Sequence, residues 1–207
     1  MRLFFSTIFL ILSISFSQTF AQADFTLAEK GQYESFRRHS IGTTLFLFGN
    51  LLPGDPPHFF LLNYGYQITR KNSIFAEAIT WTYYEPLGSY GSSDKRYPGK
   101  IRAYGIGIGY QHFLWKNFYI TAQGTPFFQQ FFDEENIKIV NGFQLYLQSR
   151  IGYRFELLDH RWFLEPSVAF NYWPINTNFP DGFEEIEAGE PNYFLFEPGL
   201  HFGYKIR

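Results

Sequence analysis

The chain has 207 residues, no cysteine and a formal net charge of −2. Disulfides, thiolate metal sites and a lipid anchor on cysteine are thereby excluded, and there is no basic footprint for nucleic acid. Aromatic residues make up 22%, with 27 Phe and 15 Tyr, yet mean hydropathy is −0.19, a combination that alternating strands produce and long apolar helices do not.

Residues 1–23 begin with Arg2, continue as an apolar run from Leu3 to Phe16, and end in Ala21, Gln22 and Ala23. This is the layout of a secretory signal peptide, with cleavage expected after Ala23. The run is shorter than the ~20 residues that a membrane-spanning helix needs. Residues 24–38 show no period of two and read as a short periplasmic lead-in. The remainder, 39–207, reads as one domain.

Eight strands are expected in that domain. The first, His39 to Gly49, sets Ile41, Thr43, Leu45 and Leu47 against Ser40, Gly42, Thr44 and Phe46. Asn50 to His58 is a Pro/Gly-rich loop. The second, Phe59 to Thr69, alternates Phe60, Leu62, Tyr64, Tyr66 and Ile68 with Leu61, Asn63, Gly65 and Gln67. A tight turn, Arg70 to Asn72, leads into the third, Ser73 to Tyr84. There Glu77 shares a face with Phe75, Ile79 and Trp81, so alternation alone does not orient the strand.

Glu85 to Lys100 is a long loop with Asp94, Lys95 and Arg96 at its tip. The fourth strand, Ile101 to Phe113, opposes Tyr104, Ile106, Ile108 and Tyr110 to Ala103, Gly105, Gly107, Gly109 and Gln111. After a turn at Leu114 to Asn117, the fifth, Phe118 to Gln130, alternates until Pro126. Phe132 to Asn141 reads as a loop. The sixth, Gly142 to Glu156, is the clearest, with Phe143, Leu145, Leu147, Ile151, Tyr153 and Phe155 against Gln144, Gln148, Arg150, Gly152, Arg154 and Glu156. Its register tolerates no slip by one residue.

Leu157 to Arg161 turns the chain into the seventh strand, Trp162 to Trp173, where Leu164, Pro166, Val168, Phe170 and Tyr172 oppose Glu165, Ser167, Ala169 and Asn171. Pro174 to Asn192 is the longest loop. The last strand, Tyr193 to Arg207, turns Phe196, Leu200, Phe202, Tyr204 and Ile206 to one side and Glu197, Gly199, His201, Gly203 and Lys205 to the other. Pro126, Pro166 and Pro198 lack a ladder donor and are expected at bulges.

The connections alternate long and short, which together with an even strand count points to an all-β, eight-stranded antiparallel up-and-down transmembrane β-barrel. Trp81 and Trp173 fall at loop ends of strands and Trp115 and Trp162 at turn ends, as two aromatic girdles would. On this reading Phe196, Leu200, Phe202, Tyr204 and Ile206 face lipid.

Pairing at equal depth puts Glu165 beside Arg154, His201 and Lys205. An interior cluster of Arg150, Arg154, Glu165, His201 and Lys205, joined by Glu77 or Glu156, is therefore expected. Its reading is structural, because so narrow a barrel is filled by side chains and buried charges must be paired. His39, His58, His112, His160 and His201 show no metal-ligand spacing, and no nucleophile stands with a base in reach; no catalytic residue, metal or cofactor is assigned. The acidic stretch Glu184 to Glu190 reads as a solvated charge run, since it lacks the spacing of an oxygen-ligand loop.

Over Ser40 to Arg207 the chain resembles the small eight-stranded outer-membrane β-barrels of Gram-negative bacteria. The resemblance lies in the architecture and in the terminal alternation Phe202, Tyr204, Ile206, which looks like the strand that the barrel assembly machinery recognises; Arg207 stands where an aromatic residue is usual. It implies a monomer in the outer membrane, with the lipid bilayer, lipopolysaccharide and the assembly machinery as partners. The expected role is structural, or surface interaction through the loops, around a packed polar lumen. A narrow channel hollowed by Gly105, Gly107, Gly109, Gly199 and Gly203, a lipid-modifying enzyme and a soluble periplasmic lipocalin-like carrier are the alternatives.

Overall fold

The computed structural model of the chain describes residues 37–87 and 95–206. The proposed signal peptide, all but the last two residues of the lead-in, Asp94 at the loop tip, and Arg207 lie outside the described residues. The domain is a closed antiparallel up-and-down β-barrel of eight staves. The staves are β1 (His39–Thr44), β2 (Phe60–Gln67), β3 (Asn72–Tyr83), β4 (Lys100–Trp115), β5 (Phe118–Phe132), β6 (Lys138–Tyr153) continued after Arg154 by β7 (Phe155–Leu157), β8 (Trp162–Asn176) and β9 (Tyr193–Ile206). Neighbours in sequence are neighbours in the sheet, and β1 pairs with β9 to close it, from His39 opposite Ile206 to Thr44 opposite His201.

Two expected boundaries move. The first strand stops at Thr44 instead of Gly49, and Leu45–Leu51 forms a 3-10 helix, η1. From Leu45 to Phe48 both parities are apolar, so nothing in the side chains favours an extended, two-faced strand there. Thr44 caps the helix by accepting from the Phe46 amide, and Asn50 pins its far end by bonding both the amide and the carbonyl of Phe59. The expected loop Phe132 to Asn141 is a tight turn. Asp133 accepts from the amides of Asn136 and Ile137, which lets β5 and β6 run for 15 and 16 residues.

The prolines do not sit at bulges. Pro126, Pro166 and Pro198 keep their register opposite Leu145, Leu200 and Val168. Pro166 lies where a missing N–H is tolerated. Gly152 pairs with Ser167 and Phe155 with Leu164, so Pro166 belongs opposite Tyr153, beside the break between β6 and β7. The bulge in β9 is at Phe196, between the pairs Phe170–Leu195 and Ala169–Glu197. Its φ of 68° is a left-handed conformation that costs a bulky residue about 1–3 kcal/mol.

Inside the barrel, large residues from one stave occupy the space left by glycines on the next. A Cβ at Gly109 would collide with the ring of Phe75, one at Gly203 with Phe163, and one at Gly105 would come within 2.7 Å of Phe127. Gly105, Gly109 and Gly203 therefore make room for aromatic rings. Overpacking a core costs about 1–3 kcal/mol. Gly109→Leu is expected to destabilise the refolded barrel by at least that much, and adding Phe75→Ala to recover most of the loss, as read from urea midpoints.

Candidate functional site

The lumen has two halves of different chemistry. Toward the short turns it is ionic. Arg154 and Glu165 are both about 8% exposed, and Arg154 Nε donates to Glu165 Oε1 at 2.6 Å. Gln111 closes a triangle, accepting from Arg154 Nη2 at 3.0 Å and donating to Glu165 Oε1 at 3.1 Å. The guanidinium lies over the rings of Phe113 and Phe163, its centre 4.8 and 4.5 Å from their centroids. The cation is thus held against aromatic π-density while its N–H groups are hydrogen-bonded.

Deeper in, Glu77 is 1% exposed. It accepts from Asn63 Nδ2 at 3.0 Å and Gln123 Nε2 at 2.6 Å, with Arg150 Nη1 at 3.5 Å. At the turn rim Lys205 pairs with Glu156, which also holds His160 at 2.6 Å. Of the expected cluster, Arg150, Arg154, Glu165, Lys205 and Glu77 all turn inward, but as three separate pairs. Lys205 bonds Glu156, not Glu165. His201 stands opposite Glu165 in the ladder, yet makes no hydrogen bond or ion pair among the described residues.

Toward the long loops the lumen is aromatic, which corrects the expectation of a polar lumen throughout. Leu87, Ala103, Phe127, Tyr146 and Trp173 form a buried cluster against which Trp81 packs. Tyr146 and Trp173 stack at 5.9 Å with their planes 5° apart, and Trp81 stacks on Phe127 at 6.1 Å. Trp81 and Trp173 therefore face inward and form no outer girdle at this end. Their parity is that of Glu77 on β3 and Glu165 on β8, both lumenal, so β3 is oriented by Glu77. Trp115 and Trp162 are exposed on the outer surface at the turn end.

The loop end is closed by a plug. A short helix, α1 (Asp181–Glu187), inserts Phe183, 1% exposed, against Tyr97, Ile101 and Phe131. The acidic stretch is solvated only in part: Glu184 and Glu185 are exposed, but Glu187 and Glu190 are engaged. Glu187 accepts from the Tyr97 hydroxyl and from Asn176 Nδ2, and Glu190 pairs with Lys95. Sequence reasoning missed this plug. Its signal was the pair Phe183 and Ile186, three residues apart inside an acidic segment, which the partner rings of Tyr97 and Phe131 make meaningful.

Among the described residues the lumen holds a cavity of about 50 Å³ on the turn side and one of about 90 Å³ on the loop side, and Glu77, Arg150 and His201 line both. Among the described residues no group of three His, Cys, Asp or Glu is placed to hold a metal ion.

No family model, curated protein or solved structure matches this chain.

Two outcomes are expected. Glu165→Leu strands the guanidinium of Arg154 and costs about 3–5 kcal/mol, and the double variant with Arg154→Met recovers most of it in equilibrium unfolding. Burial raises the Glu187 carboxyl above its ordinary value, against the opposing hydrogen bonds from Tyr97 and Asn176. Its proton is held to higher pH docked than undocked, so docking strengthens as pH falls through the raised pKa and weakens as pH rises. Glu187→Gln is expected to protect the amides of α1 better than wild type at neutral pH, with the difference vanishing in mild acid, by hydrogen exchange compared at each pH.

Proposed function

We propose that the protein is an integral outer-membrane barrel with a closed lumen, acting in envelope structure or in surface contacts through its long loops. The observation that carries this reading is the outer wall. Every stave turns a large apolar side chain to the outside with more than a third of its surface exposed: Ile41, Leu62, Ile74, Ile108, Ile120, Ile151, Val168 and Ile206. The paired charges lie inside. A continuous apolar belt of this kind around a polar-cored cylinder suits hydrocarbon, and no soluble monomer exposes one without a partner to cover it. A lipocalin-like carrier requires the reverse, with its apolar side chains lining the interior.

On this reading the turn end faces the periplasm and the plugged loop end the exterior. Lipid and lipopolysaccharide surround the belt, the assembly machinery inserts the chain through β9, and the signal peptide is removed on export. The two small cavities and the plug argue for a lumen that passes no solute, and no catalytic role is assigned to it.

Two measurements test this. The protein is expected to sediment with outer membranes and to run faster on gels unboiled than boiled; recovery in the soluble periplasmic fraction would refute the reading. In planar bilayers the purified protein is expected to give no unitary currents above background.

A further inference from the structure

The barrel wall is not laddered along its whole height. The β1–β9 pairing ends at Thr44 and His201, and from Tyr193 to Leu200 the only ladder partner of β9 is β8. On the other side of that gap stands η1, not a strand. In hydrocarbon an unpaired N–H costs several kcal/mol, and the edge of β9 facing the gap is treated accordingly. The Leu200 carbonyl accepts from Thr44 Oγ1 at 3.2 Å, which shows that this parity of β9 points into the gap. Two residues earlier the same parity is Pro198, which has no N–H to leave unpaired.

Behind the gap lies the loop-side cavity. Both rims line it, Thr44 and Phe46 on one side and Glu197, Pro198 and Gly199 on the other. Its walls are Phe59, Leu61, Trp81, Phe127 and Tyr146, and its floor is the Glu77–Arg150 pair. Three buried polar atoms that have no hydrogen-bond partner among the described residues belong to its lining, the indole N–H of Trp81, the carbonyl Oε1 of Gln123 and the hydroxyl of Ser167. The indole donates, the carbonyl accepts and the hydroxyl can do either. Outside the gap, Phe48, Leu51 and Leu52 of η1 and its flank, with Phe196 of β9, are each more than 60% exposed.

We propose that the gap between η1 and β9 is a lateral port that takes the polar end of a neutral amphiphile, a hydrocarbon ending in a hydroxyl group. A hydroxyl satisfies a donor and an acceptor at once, which is what Trp81 and Gln123 lack. Arg150 on the floor is paired with Glu77, so no guanidinium or ammonium of the lining is free to recruit an anionic head, and Glu197, without an ion-pair partner among the described residues, is hydrogen-bonded by Asn171. At about 90 Å³ it is smaller than the ~150 Å³ cavity that holds benzene. Only the end of the ligand enters, and its chain stays outside against η1 and Phe196.

The proposal rests on the membrane reading, and the test separates the two. In one protein Trp81 is the sole tryptophan, by Trp115→Phe, Trp162→Phe and Trp173→Phe. In another all four are Phe and Ile108→Trp reports on the outer wall. Vesicles of lipid brominated on its acyl chains are expected to quench the Ile108→Trp reporter. A long-chain alcohol brominated beside its hydroxyl, added to unbrominated vesicles, is expected to quench Trp81 saturably, with loss of about half its fluorescence. The unbrominated alcohol restores it, and cavity filling by Gly199→Leu or Ala169→Leu abolishes the quenching. If the outer reporter is quenched by brominated lipid but Trp81 shows no saturable, competable quenching, or a folded filling variant leaves it intact, the port is wrong and the membrane reading stands. If brominated lipid leaves the outer reporter bright, both fall.

Discussion

An eight-stave cylinder has room inside for side chains and almost nothing else, and this single limit on volume governs the rest of the molecule. A cation and a carboxylate placed inside cannot be solvated, so Arg154 and Glu165 must meet, and must also find Gln111 and the two aromatic rings. Such a pair is not a strong net source of stability compared with apolar side chains of equal volume. What it does is fix which depth of β8 faces which depth of β6 and β4, because any slip leaves a buried charge alone. The same limit explains the inward glycines: Phe75 and Phe163 fit because Gly109 and Gly203 do not occupy the space their rings need.

How much of this was legible in the sequence depended on contrast between the two faces. Where the lumen is ionic, along β6 and β7 from Gln148 to Glu156, charged or polar residues mostly alternated with large apolar ones and the inward face could be read, though not the break at Arg154. Where the lumen turns aromatic the contrast disappears. In the run Phe127, Phe128, Gln129, Gln130, Phe131, Phe132 the inner and outer side chains are the same kinds of residue, so the strand seemed to fade at Pro126 although its register continues. Trp81 and Trp173 were misread for a related reason. Position along a strand suggested a girdle, while parity with Glu77 and Glu165 pointed inward, and parity is the stronger physical constraint because it follows from the pleat itself.

The local exceptions to regular β structure are coordinated. The loss of alternation after Thr44 lets η1 form, the early end of β1 leaves part of β9 without a neighbour, and Pro198 with the Thr44 hydroxyl reduces the number of backbone groups exposed there. None of these is interpretable singly from the sequence, since a proline in a strand reads as a fault until its missing donor is seen to point at nothing. The plug shows the same dependence on context: an acidic segment looks solvated until Tyr97 and Asn176 are found at Glu187.

The short reach of β1 also bears on how the cylinder comes apart. Its seam with β9 holds six residue pairs and its seam with β2 only four, whereas β3 and β4 are joined by twelve. Opening free energy follows the local density of such pairs, so β1 is the stave with the least to lose. Its backbone amides are therefore expected to exchange with solvent before those of β3 and β4.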